Sequence, residues 1–215
     1  MKARAAVLSL ALVLTACGSN PPDYSSIWTS SSTATTTTTT PASDKPQPIA
    51  EYLYGLGVTG EQVPLDKLTD LTVTLPKPPG WTKYANPNFS PGTEMIAKNN
   101  TYPTAMVVVL RLTGNFDVAE ALKHASVDAE MNQNFTKLNS SNETFDGFPS
   151  SMIEGSYDAN GKRLHTYNRV VIPVTPAPKF QRYLVQFTVT TLADQAAVQS
   201  DDIEAVIKGF SVTAK

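Results

Sequence analysis

Between Ser25 and Ser43, 14 of 19 residues are Ser or Thr, with an unbroken Thr35–Thr40 run and prolines at 21, 22, 41, 46 and 48 around it. Such a stretch cannot bury enough apolar surface to offset the entropy of ordering it. It therefore divides the 215 residues into a short N-terminal part and one region, 49–215, able to hold a core. That region lies within the usual size of one domain.

What precedes the run reads as an export signal. Lys2 and Arg4 make a basic start, and Ala5–Leu14 is an apolar stretch too short to span ~30 Å of hydrocarbon as a helix. It ends in Leu14-Thr15-Ala16-Cys17, the pattern of a bacterial lipobox. The expected segments are a signal peptide over 1–16, a lipidated Cys17 opening a Ser/Thr/Pro-rich tether over 17–48, and a single domain over 49–215. Cys17 is the sole cysteine, so an intramolecular disulfide and the multi-cysteine zinc sites are excluded. Two or three acyl chains on Cys17 would hold the chain stably at the membrane, at ~0.8 kcal/mol per buried CH2. The predicted location is the extracytoplasmic face of the cell membrane. Thr35, Thr36, Thr37, Thr38, Thr39 and Thr40 are candidate O-glycosylation sites, because Ser/Thr/Pro tracts of this kind are acceptors.

Within 49–215 the periodicities alternate between strand and helix. Ile49–Leu56 is a short helix candidate behind Pro48. Leu71–Leu75 alternates apolar and polar as a half-buried strand does. Five prolines between 76 and 91 predict an irregular loop carrying Trp81 and Tyr84. Glu94–Lys98 is a short strand, and the continuously apolar Ala105–Leu110 suits a central strand covered on both faces. Asp117 and Glu120 open a helix whose stripe is Val118, Ala121, Leu122 and Ala125. Phe135–Leu138, Ser151–Tyr157, Arg163–Ile172 and Arg182–Thr190 follow as strands, the middle pair joined by an Asn160-Gly161 hairpin turn. A last helix is expected from near Thr191, with Asp194 at its start, burying Val198, Ile203, Val206, Ile207 and Phe210. The fold class is α+β: a mainly antiparallel sheet flanked by helices.

Several segments together resemble the mycobacterial LpqN/LpqT lipoprotein family. They are the lipobox, the Thr-rich tether, Leu75-Pro76-Lys77-Pro78-Pro79-Gly80-Trp81, Ala119–His124, and Gly147–Ile153 through Gly155-Ser156-Tyr157. The resemblance implies a Mog1p/PsbP-like fold and an envelope lipoprotein associated with cell-wall lipid handling. It brings no shared catalytic centre.

The residues themselves offer little chemistry. A formal net charge of −2 lacks the basic excess of a nucleic-acid binder, so no nucleic acid is expected as a partner. His124 and His165 are the only histidines. His124 has Glu120 and Asp128 four residues to either side, a weak metal face read here as solvated charge. No Gly-x-Ser-x-Gly elbow and no His-Glu-x-x-His helix is present. Neither a cofactor nor a metal is called for.

Two surfaces remain as candidates. From Ala159 to Ala193 there is no acid, but Lys162, Arg163, Arg169, Lys179 and Arg182 are present, a basic surface for anionic headgroups or an acidic partner. The second is an apolar groove at Trp81, Tyr84 and Tyr102 for an acyl chain. The reading is a non-enzymatic, membrane-anchored binding protein for an envelope lipid, glycolipid or protein partner. The alternatives are a purely protein-binding adaptor and, last, a hydrolase with only these two histidines to serve as base.

Overall fold

A computed structural model describes residues 46–215. The signal peptide, Cys17 and the Thr35–Thr40 run lie outside the described residues. The elements are α1 (Ile49–Gly55), β1 (Thr59–Gln62), β2 (Leu71–Thr74), β3 (Trp81–Lys83), β4 (Glu94–Lys98) and β5 (Thr101–Thr113), then α2 (Val118–Leu122), α3 (Val127–Glu130), β6 (Thr136–Ser141), β7 (Ser150–Ala159), β8 (Lys162–Val171), β9 (Arg182–Leu192), α4 (Ser200–Gly209) and β10 (Ser211–Ala214).

β5 organises the rest. Its residues are buried without a break from Pro103 to Leu110, as its apolar run predicts for a strand covered on both faces. One edge of β5 pairs with β9. The other is shared by β4, which takes the N-terminal half, and β1, which takes the C-terminal half. The antiparallel eight-stranded sheet runs β3-β4-β5-β9-β8-β7-β6, with β1 beside β5. The β7–β8 hairpin turns at Asn160 and Gly161, whose φ values of 51° and 70° are those a type I′ turn requires.

Strand alternation splits the core into two layers. Ala105, Val107 and Val109 of β5 join Tyr183, Val185, Phe187 and Val189 of β9 on the first face. This layer is closed by Ile203 and Val206 of α4, by Phe210, and by a separate two-stranded sheet in which Val73 of β2 pairs with Val212 of β10. Met106, Val108, Leu110 and Leu112 point to the second face, against Ile49 and Leu53 of α1 and Ala121 of α2. Each fully buried Val or Leu contributes roughly 1.5–3 kcal/mol, so the two layers stabilise a chain that has no disulfide to rely on. The α+β class, the antiparallel sheet and helices on both faces are as expected.

Four local expectations are corrected. The proline-rich loop contains β3, because Trp81–Lys83 finds a partner strand in β4. The first long helix is two short ones: α2 is capped by Asp117, whose side chain accepts from Glu120 N at 2.9 Å. Beyond Leu122 the backbone tightens to i→i+3 bonds, Lys123 N to Glu120 O and His124 N to Ala121 O. The last helix starts at Ser200, because β9 keeps its ladder with β8 as far as Leu192↔Leu164. Val198, assigned to that helix's buried face, is 81 % exposed. The pairing of the C-terminal residues with Leu71–Thr74 had no counterpart in the sequence pattern.

Candidate functional site

The three aromatic residues of the expected groove do not share a wall. Trp81 sits in the first core layer, with its Nε1–H lacking a hydrogen-bond partner among the described residues. Tyr84 packs against the second layer, 6.2 Å from Phe89 between ring centroids. The two are three residues apart along extended chain, and an odd spacing in a strand sends side chains to opposite faces. Tyr102 lies at the start of β5, partly buried.

The five basic residues are likewise dispersed. Lys162 lies exposed at the hairpin end. Arg163 is spent locally: it pairs with Asp158 at 3.1 Å and donates to Asn134 O, Thr136 Oγ1 and Ser156 Oγ. Arg182 stands opposite Leu112, on the second face, donating to Phe116 O at 3.1 Å with its guanidinium 4.9 Å from that ring. Lys179 lies 3.6 Å from Asp70. Burial works against the Asp70 carboxylate, but hydrogen bonds from Tyr183 and the backbone, with the Lys179 charge, outweigh it and hold its pKa below the ordinary value.

His124 is a structural residue. Its Nδ1 is 2.7 Å from Gln47 O and its ring stacks on Tyr52 at 4.2 Å, tying the chain ahead of α1 to the α2–α3 turn. Glu120 is engaged by Lys123 at 2.6 Å. Among the described residues no three His, Cys, Asp or Glu side chains assemble as a metal site. His165 Nε2 lies 3.1 Å from Glu154 Oε1. Ser156 is its cross-strand neighbour, which makes a Ser-His-Glu set on one face. The Ser156 hydroxyl, however, accepts from Arg163 Nη2 at 2.7 Å and makes no hydrogen bond to the imidazole. A nucleophile needs that bond to lose its proton.

The fifth basic residue, Arg169, is different. Alternation in β8 places Arg163, His165, Tyr167, Arg169 and Val171 on the first face. Arg169 Nε donates to Tyr167 Oη at 2.8 Å, and its Nη1 donates to Ser150 Oγ at 2.9 Å. Ser150 is itself fixed by donating to Glu143 O at 2.6 Å. The guanidinium is 4.6 Å from the Phe145 centroid and 5.8 Å from that of Tyr167. Those two rings end an aromatic arc: Tyr167 meets Phe187 edge-on at 6.1 Å, Phe187 stacks on Phe210 at 4.1 Å, and Phe210 stacks on Phe145 at 5.4 Å.

Among the described residues Arg169 makes no ion pair. Two acids of the same region have other partners: Glu154 lies against His165, and Asp146 accepts from the backbone N–H of Val212 at 2.8 Å. In the sequence alone Arg169 is one of five equal charges. The signal that sets it apart is Tyr167-x-Arg169, same-face spacing on a strand inside a stretch that contains no acid.

These features define an α+β domain in which one antiparallel sheet, covered on both faces, carries a partly buried, aromatic-framed cation. The family described as "Probable lipoprotein LpqN" matches residues 45–213. The lipoprotein LpqT of Mycobacterium tuberculosis (strain ATCC 25618 / H37Rv) is 53 % identical over 210 residues, covering 98 % of this chain and 92 % of that protein. LpqT of Mycobacterium leprae (strain TN) is 51 % identical over 211 residues, covering 98 % and 95 %. The chain therefore belongs to the LpqN/LpqT family of mycobacterial lipoproteins, as its resemblance implied. A crystal structure of LpqN, described as involved in cell envelope biogenesis of Mycobacterium tuberculosis, shares the fold with a TM-score of 0.66 at 21 % identity, over 78 % of this chain and 98 % of that one. No helix among the described residues is long and apolar enough to cross a membrane.

Proposed function

We propose that this chain is a non-enzymatic lipoprotein of the mycobacterial cell envelope that binds or presents an envelope lipid or glycolipid. It is cut after Ala16 and held by lipid on Cys17 at the extracytoplasmic face of the membrane. Residues 17–48 serve as its tether, with Thr35–Thr40 open to glycosylation, and 49–215 form the binding domain. The observation that carries this reading is membership of a lipoprotein family, whose model matches residues 45–213 and whose member LpqT aligns with 98 % of the chain. LpqN's described part in cell envelope biogenesis supports the envelope side of it. The non-enzymatic side is supported by the Ser156 hydroxyl being held by Arg163 rather than by His165. A protein-binding adaptor without a lipid ligand is the second reading, favoured by the exposed Lys162 and Lys179 on a membrane-tethered domain, where weak attraction is amplified by effective concentration.

Native mass spectrometry of the full chain, released from detergent after incubation with envelope lipid extract, tests the lipid reading. A discrete retained lipid mass is expected. Its absence, alongside a discrete crosslinked protein in membranes, would transfer the case to the adaptor. Cys17→Ala is expected to release the chain from the membrane fraction, and retention there would overturn the anchor.

A further inference from the structure

We propose that Arg169, together with the Tyr167 hydroxyl, forms a binding site for a phosphate-class oxyanion. A guanidinium carries five N–H donors in a planar fork. Two are used here, on Tyr167 Oη and Ser150 Oγ. Both acceptors are neutral, so they fix the plane of the fork without cancelling its charge. Three N–H donors remain. Among the described residues Tyr167 accepts from Arg169 and makes no other side-chain hydrogen bond, which leaves its own O–H proton to donate to the same ligand.

The electrostatics point the same way. Taking a cation partly out of water without a counter-ion is costly. The face of Phe145 at 4.6 Å offsets only part of that cost. No carboxylate among the described residues lies within ion-pair distance of the guanidinium. What stands on this face is a preorganised set of unused donors on a cation without an ion pair. The complementary ligand is an oxyanion that accepts more than the two bonds of one fork. Arginine forks match phosphate and carboxylate alike; on a domain read as gripping an envelope lipid the phosphate group is the one argued for, and acetate is its control.

The chemistry is shared by a phosphodiester lipid headgroup and by free phosphate. This inference rests on the reading of the domain as a binding module, and it names the group that module would grip. If instead Arg169 only caps the aromatic arc, its remaining donors would face water and added phosphate would change nothing.

The test uses the full chain in a non-ionic detergent. Its thermal midpoint is followed while inorganic phosphate, sodium acetate or dihexanoylphosphatidylglycerol below its micelle concentration is added at constant ionic strength. A rise of about 3–5 °C is expected at ten times the dissociation constant, growing with the logarithm of concentration beyond it. Arg169→Gln should abolish the response, and Arg169→Lys, which keeps the charge but loses the fork, should weaken it. Because the ligand-dependent change is read rather than the starting midpoint, a destabilised variant still answers the question. The same rise reached at a lower concentration of the short-chain lipid assigns the headgroup, and a rise reached at an equal or lower concentration of inorganic phosphate assigns free phosphate. The proposal fails if neither phosphate probe shifts the wild-type midpoint, if acetate acts as strongly, or if Arg169→Gln responds like wild type. A phosphate response without retention of any envelope lipid in the mass spectrometer would leave this site standing and remove the lipid reading.

Discussion

Asp128 is expected to make the domain less stable at neutral pH than at pH 4.5, and Asp128→Asn should remove that dependence. The carboxyl lies on α3, partly buried. Burial, then the negative charge of Glu51 on α1, push its pKa from 3.8 to about 6. A raised carboxyl pKa means that the folded state holds the proton more tightly than the unfolded state. The associated stability is complete below pH 3.8, falls as pH rises through about 6, and is constant above. With about 1.4 kcal/mol per tenfold change in proton affinity, the gap corresponds to roughly 3 kcal/mol, and solvent screening of a group that is not fully buried brings it to about 1–2 kcal/mol. Asp128→Asn should therefore be about 1–2 kcal/mol more stable than wild type at pH 7.5 and equal to it near pH 4. Glu51→Gln should recover a smaller share, since its charge is the lesser cause. Urea titrations at half-unit steps from pH 4 to 8 measure this. Every other titrating group is common to both proteins, so the difference between their curves isolates Asp128. A difference that is flat across the range, or that grows toward acid, would refute the argument.

Two further substitutions test packing. Gly155→Ala places a Cβ 2.4 Å from the Phe135 ring and 2.7 Å from Thr136 O; because one of these atoms is backbone, β6 must move, and a loss of about 1–3 kcal/mol is expected. Faster amide exchange across Thr136–Ser141 with an unchanged β8–β9 ladder would confirm it, whereas a wild-type thermal midpoint would refute it. His124→Ala removes the hydrogen bond to Gln47 O and the stack on Tyr52, so the α1 amides of Tyr52 and Leu53 should exchange faster, with about 1–2 kcal/mol of stability lost. His124→Phe, which keeps the stack alone, should recover part of that protection.

The apolar pattern exposed most of the sheet because a strand's face assignment depends only on residue parity. Ala105–Leu110, Leu71–Leu75 as far as Thr74, and the β9 alternation are read correctly for that reason, and Asn160-Gly161 fixes its hairpin by φ alone. What stayed hidden depends on partners distant in sequence. β3 is a strand only because β4 offers an edge, and β10 only because Leu71–Thr74 does. Helix boundaries failed where two local signals competed. At Thr191 a capping residue argued for helix, but the neighbouring strand supplied ladder bonds as far as Leu192, and these satisfy the backbone without the cost of nucleating a turn.

The site was harder to read than the fold because charge has no period. Five basic residues between Lys162 and Arg182 look equivalent until each is given a face and a partner. Parity alone separates Lys162 from Arg163 and Arg169, and the register against Leu112 sends Arg182 to the other face. Partnership then removes Arg163 to Asp158 and Lys179 to Asp70. Arg169 is left on Phe145 and Tyr167, held by two neutral oxygens and matched by no carboxylate among the described residues. A net count of charge therefore misplaced the emphasis. The residue with chemical potential is the one whose charge the fold declines to cancel, and its orientation is set by the same alternation that builds the core beneath it.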